Sequence, residues 1–116
     1  MLIAVAGPYS APTEAERQRN LDRMNQAAAE LLARGHVPVI GVNAALPVVA
    51  RLPPSERYEA IMTISLAVVD RCDGLLLLGE SPGANRERDL VLGKGLPVWT
   101  RLADVPPAGP AESRSR

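Results

Sequence analysis

An uninterrupted apolar run opens the chain, Leu2 to Ala6, and stops at Gly7-Pro8. Apolar residues without alternation suit a strand covered on both faces. Thr13-Glu14-Ala15-Glu16 then fits a capping box, with Thr13 as N-cap and Glu16 reaching back. Leu21, Met24, Ala28, Leu31 and Leu32 follow at helical spacing, and Gly35 stands where a left-handed residue ends a helix. Val37 to Ile40 predicts a second short buried strand. Asn43 to Leu52 is an apolar connection interrupted by Pro47, which predicts a loop with a helical turn. Pro53-Pro54-Ser55 opens another helix with Ser55 as N-cap, and Ile61, Ile64, Ala67 and Val68 mark its buried stripe. Asp73-Gly74 turns the chain into the run Leu75 to Leu78, a third buried strand. Ser81-Pro82-Gly83 leads into a last helix ending near Gly93 to Gly95, and Leu96 to Thr100 is the final strand.

Strands alternating with helices predict a parallel sheet with helices on both faces. With right-handed crossovers, the expected fold is α/β: a small flavodoxin-like or Rossmann-like three-layer sandwich of about four strands in the order 2-1-3-4. Residues 1–102 form the expected domain. Residues 103–116 form a C-terminal tail, because Pro106 to Arg116 is rich in Pro, Ala, Ser, Gly and Arg.

The length of 116 residues holds one domain, and 47% apolar residues give it a core without a metal or disulfide. Aromatics are 3%, with no Phe, which argues against base-stacking platforms. Thirteen basic residues balance thirteen acidic ones, so nucleic acid is not an expected partner. Cys72 is alone, which excludes an intrachain disulfide, and the single His36 leaves too few soft ligands for zinc. No metal and no cofactor are expected. No apolar run approaches the roughly 18 residues of a membrane span, and Met1 to Ser10 lacks the features of a signal peptide. The expectation is a cytoplasmic protein without a membrane partner. The segment Glu56 to Arg71 is apolar over much of its surface, with Ile61, Met62, Ile64, Leu66, Val68 and Val69. A helix of that kind must be covered on more than one side, which predicts a homodimer or higher homo-oligomer.

Chemistry is expected in the crevice beyond the carboxyl ends of strands 1 and 3, where the strand order reverses. Two loops feed it: Gly7-Pro8-Tyr9-Ser10, and Gly79 to Asn85. Gly83 permits close backbone approach, the helix behind it offers free N–H groups, and Ser81 adds a hydroxyl, a set suited to a phosphate or a sugar hydroxyl. Glu87 follows in the first turn or two. The helix dipole and neighbouring Arg86 and Arg88 favour its ionised form, and an ionised carboxylate in a crevice can act as a nucleophile. Replacing such a helix-start charge is expected to change stability by only about 0.3–1 kcal/mol. The plainer alternative makes Ser81 and Gly83 an ordinary cap and Glu87 ordinary helix chemistry. His36 is expected to be a helix-exit residue and Cys72 a small hydrophobe, with Asp70 and Asp73 flanking a turn. No P-loop, dinucleotide fingerprint or G-x-S-x-G elbow is present.

The stretches Ile3 to Tyr9, Asn20 through Gly35-His36-Val37-Pro38, Cys72-Asp73-Gly74-Leu75 and Ser81-Pro82-Gly83-Ala84-Asn85-Arg86-Glu87 resemble the nucleoside 2-deoxyribosyltransferase-like superfamily over roughly residues 1–100. The resemblance implies a flavodoxin-like fold acting on the N-glycosidic bond of a nucleoside or nucleoside 5′-monophosphate. Glu87 matches the glutamate that attacks C1′ to form a glycosyl-enzyme intermediate, which a second base or water resolves. Ser81 matches a phosphate-binding serine, and Gly7, Pro8, Tyr9, Ser10, Gly83 and Ala84 are the implied substrate contacts. The resemblance further implies dimers or larger assemblies. Two departures stand out. Ser65 lies near the place of an Asp in many members, and strand 1 lacks an orienting Tyr, with Tyr9 just beyond it. The alternative is therefore a non-catalytic nucleotide-binding or sensing module of the same fold.

Overall fold

Parallel pairing of the apolar runs builds the centre of the molecule. In the computed structural model, which describes residues 1–108, the elements are β1 (Leu2–Ala6), α1 (Glu14–Ala33), β2 (Val37–Val39), α2 (Gly41–Val49), α3 (Pro54–Val69), β3 (Gly74–Leu77), α4 (Pro82–Gly93) and β4 (Val98–Trp99), closed by a 3₁₀ turn at Leu102–Asp104. The four strands form one sheet in the order β2-β1-β3-β4, every pair parallel. This is the expected flavodoxin-like, three-layer arrangement. β1 and β3 run side by side, Ile3 opposite Gly74 through Ala6 opposite Leu77. Asp73 locks their start: its N–H donates to the Leu2 carbonyl at 2.7 Å, and its Oδ2 accepts from the Leu2 N–H at 2.8 Å.

Alternation along the buried strands sorts the core into two layers. Ile3, Val5 and Leu76 pack under α1 with Met24, Ala27 and Leu31. Ala4, Ala6, Leu75 and Leu77 pack on the other face with Val69 of α3 and Ala84 and Val91 of α4. Helices α1 and α4 end as their glycines require. Gly35 and Gly95 have φ of 90° and 73°, and each closes a Schellman motif, with His36 N–H bonding Leu31 O and Leu96 N–H bonding Val91 O.

Several local expectations change. α3 buries Met62, Ser65 and Val69 rather than the expected stripe of Ile61, Ile64, Ala67 and Val68, because it turns the neighbouring line, Met62 to Val69, toward the sheet and α4. β2 is Val37–Val39 and lies at the edge of the sheet with Val37 exposed, not a fully buried strand. The segment expected as a loop with a helical turn is the helix α2, despite Pro47 inside it. Gly41, Ala45 and Val49 are its buried residues, a stripe at intervals of four that lets α2 lie tightly against α3. A Cβ on Gly41 would stand 2.8 Å from Ser65 Cβ, so tertiary packing overrides two helix-breaking residues here. α3 starts earlier than expected, with Pro53 rather than Ser55 as the N-cap and Pro54 in its first turn, a position where the missing N–H costs nothing. At α1, Thr13 Oγ1 accepts from Glu16 N–H as expected, but no Glu16 side-chain bond returns to Thr13 among the described residues.

Of the expected tail, residues 109–116 lie outside the described residues. The part before them packs on the domain: Val105 is 1% exposed in the α1 core layer. His36 Nε2 lies 2.6 Å from the Pro106 carbonyl, which can only accept, so this nitrogen carries the proton and Nδ1, 3.0 Å from the Met1 nitrogen, accepts. His36 is thus a fully buried tie between chain segments rather than a simple helix exit. No helix among the described residues is long and apolar enough to cross a membrane.

Candidate active site

β1 lies between β2 and β3, so the connections leaving its two sides diverge at its carboxyl end and leave a cleft there. The cleft holds a cavity of about 230 Å³. Of the residues singled out in the sequence, Gly7, Tyr9, Ser10, Ser81, Gly83, Ala84 and Glu87 line it. Pro8 does not: it packs beside Gly79, where an added Cβ would stand 3.2 Å from Pro8 Cδ, and so joins the two strand-end loops. The β1–α1 loop is held from α1. Asn20 Nδ2 donates to the Tyr9 carbonyl at 2.9 Å, and Arg17 donates to the Ala11 carbonyl at 2.8 Å.

Glu87 forms the polar floor. α4 buries Ala84, Glu87 and Val91, so the carboxyl occupies a position where helical periodicity calls for an apolar side chain. It is 7% exposed. α3 supplies its partner in the same manner: Ser65 lies on the buried stripe with Met62 and Val69 and is 2% exposed. Ser65 Oγ donates to Glu87 Oε1 at 2.8 Å.

This environment works against the ionised form expected of Glu87. Burial raises its pKa from the ordinary 4.5 to about 7, against the lowering effect of the Ser65 hydrogen bond. The two arginines expected to favour the anion turn outward. Arg86 pairs with Glu59 at 2.9 Å, and Arg88 with Glu80 at 3.1 Å and Asp89 at 3.0 Å. Glu87 is also past the first turn of α4, where the helix dipole fades.

The loop above the carboxyl is more economical than expected. Ser81 Oγ accepts from Ala84 N–H at 3.1 Å, the Ser81 carbonyl accepts from Asn85 N–H at 2.8 Å, and Pro82 has no N–H. Among the described residues, the Gly83 N–H is therefore the donor of this first turn left for a ligand, together with the hydroxyl proton of Ser81. Gly83 sits under α3: a Cβ there would lie 3.2 Å from Met62 Sδ and 4.0 Å from the Tyr58 hydroxyl.

Tyr58, Met62, Ile61, Met24 and Val42 complete the walls, which are largely apolar. Sequence reasoning singled out none of these as site residues. The available signal for Tyr58 was weak, a second tyrosine on a helix whose cleft-facing side depends on how α2 and α3 pack. His36 and Cys72 lie by the amino ends of the strands, and neither lines the cavity. Burial pushes the Cys72 thiol up to about 11. No cluster that could hold a metal occurs among the described residues.

The fold and cleft define a small parallel α/β domain with one buried carboxyl at its switch-point pocket. The chain belongs to the family described as a domain of unknown function, DUF4406, whose model matches residues 1–100. No curated protein matches it.

Proposed function

We propose that this protein breaks or transfers the N-glycosidic bond of a nucleoside or nucleoside 5′-monophosphate, with Glu87 as the nucleophile. One observation carries the reading: a buried carboxyl with no cation partner among the described residues forms the floor of a largely apolar cleft, beside a free backbone N–H and a serine hydroxyl. The sequence resemblance around Ser81 to Glu87 supports the same chemistry.

A sugar placed over Glu87 directs its 5′ substituent to Ser81 and Gly83, and the apolar walls cover the base. Ser65 holds Oε1, which leaves Oε2 to attack C1′. The base departs, and water or a second base releases the sugar from the carboxyl, restoring the anomeric configuration in two displacements. Apolar walls around the reacting carbon exclude competing water until the base has left.

The test is a panel of nucleosides and nucleoside monophosphates assayed for free base, with and without an acceptor base. Glu87→Gln is expected to lower turnover by several orders of magnitude, as loss of a covalent catalytic group does. A second reading, a nucleotide-binding or sensing module, is favoured by Ser65 in place of the Asp of many similar proteins. Nucleotide binding without base release from any substrate would establish that reading instead.

A further inference from the structure

Breaking a C1′–N bond to an ordinary neutral base leaves an anion on the base unless a proton is delivered to it, and enzymes usually place an acid there. Among the described residues, this cleft contains no such group of ordinary strength. Its titratable side chains are Glu87, Tyr9 and Tyr58. Glu87 is committed to the sugar. The Tyr58 hydroxyl sits by Gly83, the end of the cleft to which the proposed pose assigns the 5′ substituent. The Tyr9 side chain packs against the α1 core layer. Ser65, which also lines the cleft, is pressed against Gly41 and spends its hydroxyl proton on Glu87.

The electrostatics point the same way. Glu87 is nearly fully buried, and both arginines of its own helix are paired elsewhere. Among the described residues no cation faces the carboxyl, so a ligand can bring the charge that would stabilise its ionised form. Tyr9, Tyr58, Met24 and Met62 line the cleft, and tyrosine and methionine are residue types compatible with a cation.

Resting on the N-glycosidic reading, we infer that the preferred substrates are N-glycosides whose base carries a fixed positive charge: pyridinium ribosides, or purine nucleotides alkylated on the imidazole ring. The balance is then complete without an acid. A Glu87 carboxylate oxygen bonds to C1′, the C1′–N bond breaks, and its electron pair neutralises the cationic ring, which leaves as a neutral molecule. Water then attacks C1′, the carboxylate departs, and the proton of the water passes to solvent. The incoming cation also stabilises the ionised carboxyl, so substrate binding itself prepares the nucleophile. The other ionisable groups around Glu87 are Arg86, Arg88 and Asp89 on its own helix, Glu59 on α3, Glu80 on the preceding loop and the Cys72 thiol. The arginines are held in the outward pairs described, and Cys72 stays protonated because burial pushes it up to about 11.

The experiment compares 7-methylguanosine 5′-monophosphate with guanosine 5′-monophosphate, in ribo and 2′-deoxy forms, and nicotinamide mononucleotide with its neutral carbon-linked benzamide isostere. Base release is measured over the uncatalysed loss of each compound, and affinity is measured at pH 5 and pH 8. The expected result is kcat/KM for the methylated nucleotide above its neutral parent by a factor on the order of 10²–10⁴, the usual worth of the missing acid. Nicotinamide mononucleotide is expected to bind roughly tenfold or more tighter than its isostere at pH 8, with the preference lost at pH 5 and in Glu87→Gln, as for a charge pair in a desolvated pocket. Comparable cleavage of the neutral parents, especially if Tyr9→Phe abolishes it, would overturn the inference while leaving the N-glycosidic reading intact. Equal affinity for cation and isostere at both pH values would also overturn it. Release of base from neither class would remove the N-glycosidic reading and this inference with it.

Discussion

Glu87→Gln should stabilise this protein, and only above a definite pH. In the unfolded chain the carboxyl ionises near its ordinary 4.5, whereas in the fold burial holds it protonated until about 7. Below 4.5 both states carry the proton and the group is neutral with respect to folding. Between 4.5 and about 7 the unfolded chain binds fewer protons than the native one, so stability falls as pH rises, and the loss is complete above about 7. The full displacement corresponds to about 3 kcal/mol, a large share of the stability of a domain this size. Glutamine keeps the shape and still accepts the Ser65 hydrogen bond, but has no charge to desolvate. Urea unfolding of wild type and Glu87→Gln at pH 5 and pH 8 isolates the effect, because every other titrating group cancels in the difference. At pH 5, where the unfolded carboxyl is already mostly ionised, the variant should be ahead by less than about 1 kcal/mol, and at pH 8 by about 3 kcal/mol. This is larger than, and opposite in sense to, the loss expected for a stabilising helix-start charge. A difference that does not change between the two pH values would refute the reasoning. The same ionisation should set the acid limb of turnover near pH 7, because the form that attacks C1′ is the form the fold disfavours.

Gly41→Ala should destabilise the fold by roughly 1–3 kcal/mol in urea unfolding, as overpacking does, because its Cβ would meet Ser65 Cβ, Cα and Oγ at 2.8–2.9 Å. Ser81→Ala removes the α4 N-cap and should cost about 0.5–2 kcal/mol of stability by the same assay. In calorimetric titration it should also weaken a nucleoside monophosphate more than the corresponding nucleoside. Sedimentation at micromolar concentration should show a dimer or larger species, since Ile64, Leu66 and Val68 on α3 remain half-buried and Val48 on α2 is 54% exposed; a monomer would count against that assembly.

The sequence by itself determined the sheet. Leu2 to Ala6 and Leu75 to Leu78 are apolar without alternation, too short for a helix and suited to a strand covered on both faces, and their alternation with helical segments pointed to parallel order with helices above and below. Gly35 and Gly95 marked helix ends because a left-handed residue is needed there. Topology then gathered the loops after β1 and β3 in one cleft, with Glu87 in it. Tertiary structure decided the rest. α2 forms because Gly41, Ala45 and Val49 pack against α3, an energy that no local propensity registers against Gly41 and Pro47. The state of Glu87 could not come from its neighbours in the chain: Arg86 and Arg88 are adjacent in sequence but point to other carboxylates, while Ser65, more than twenty positions away, is the group that touches it. Charge effects depend on distance through space and on access to water, and both are fixed only when α3 closes over α4.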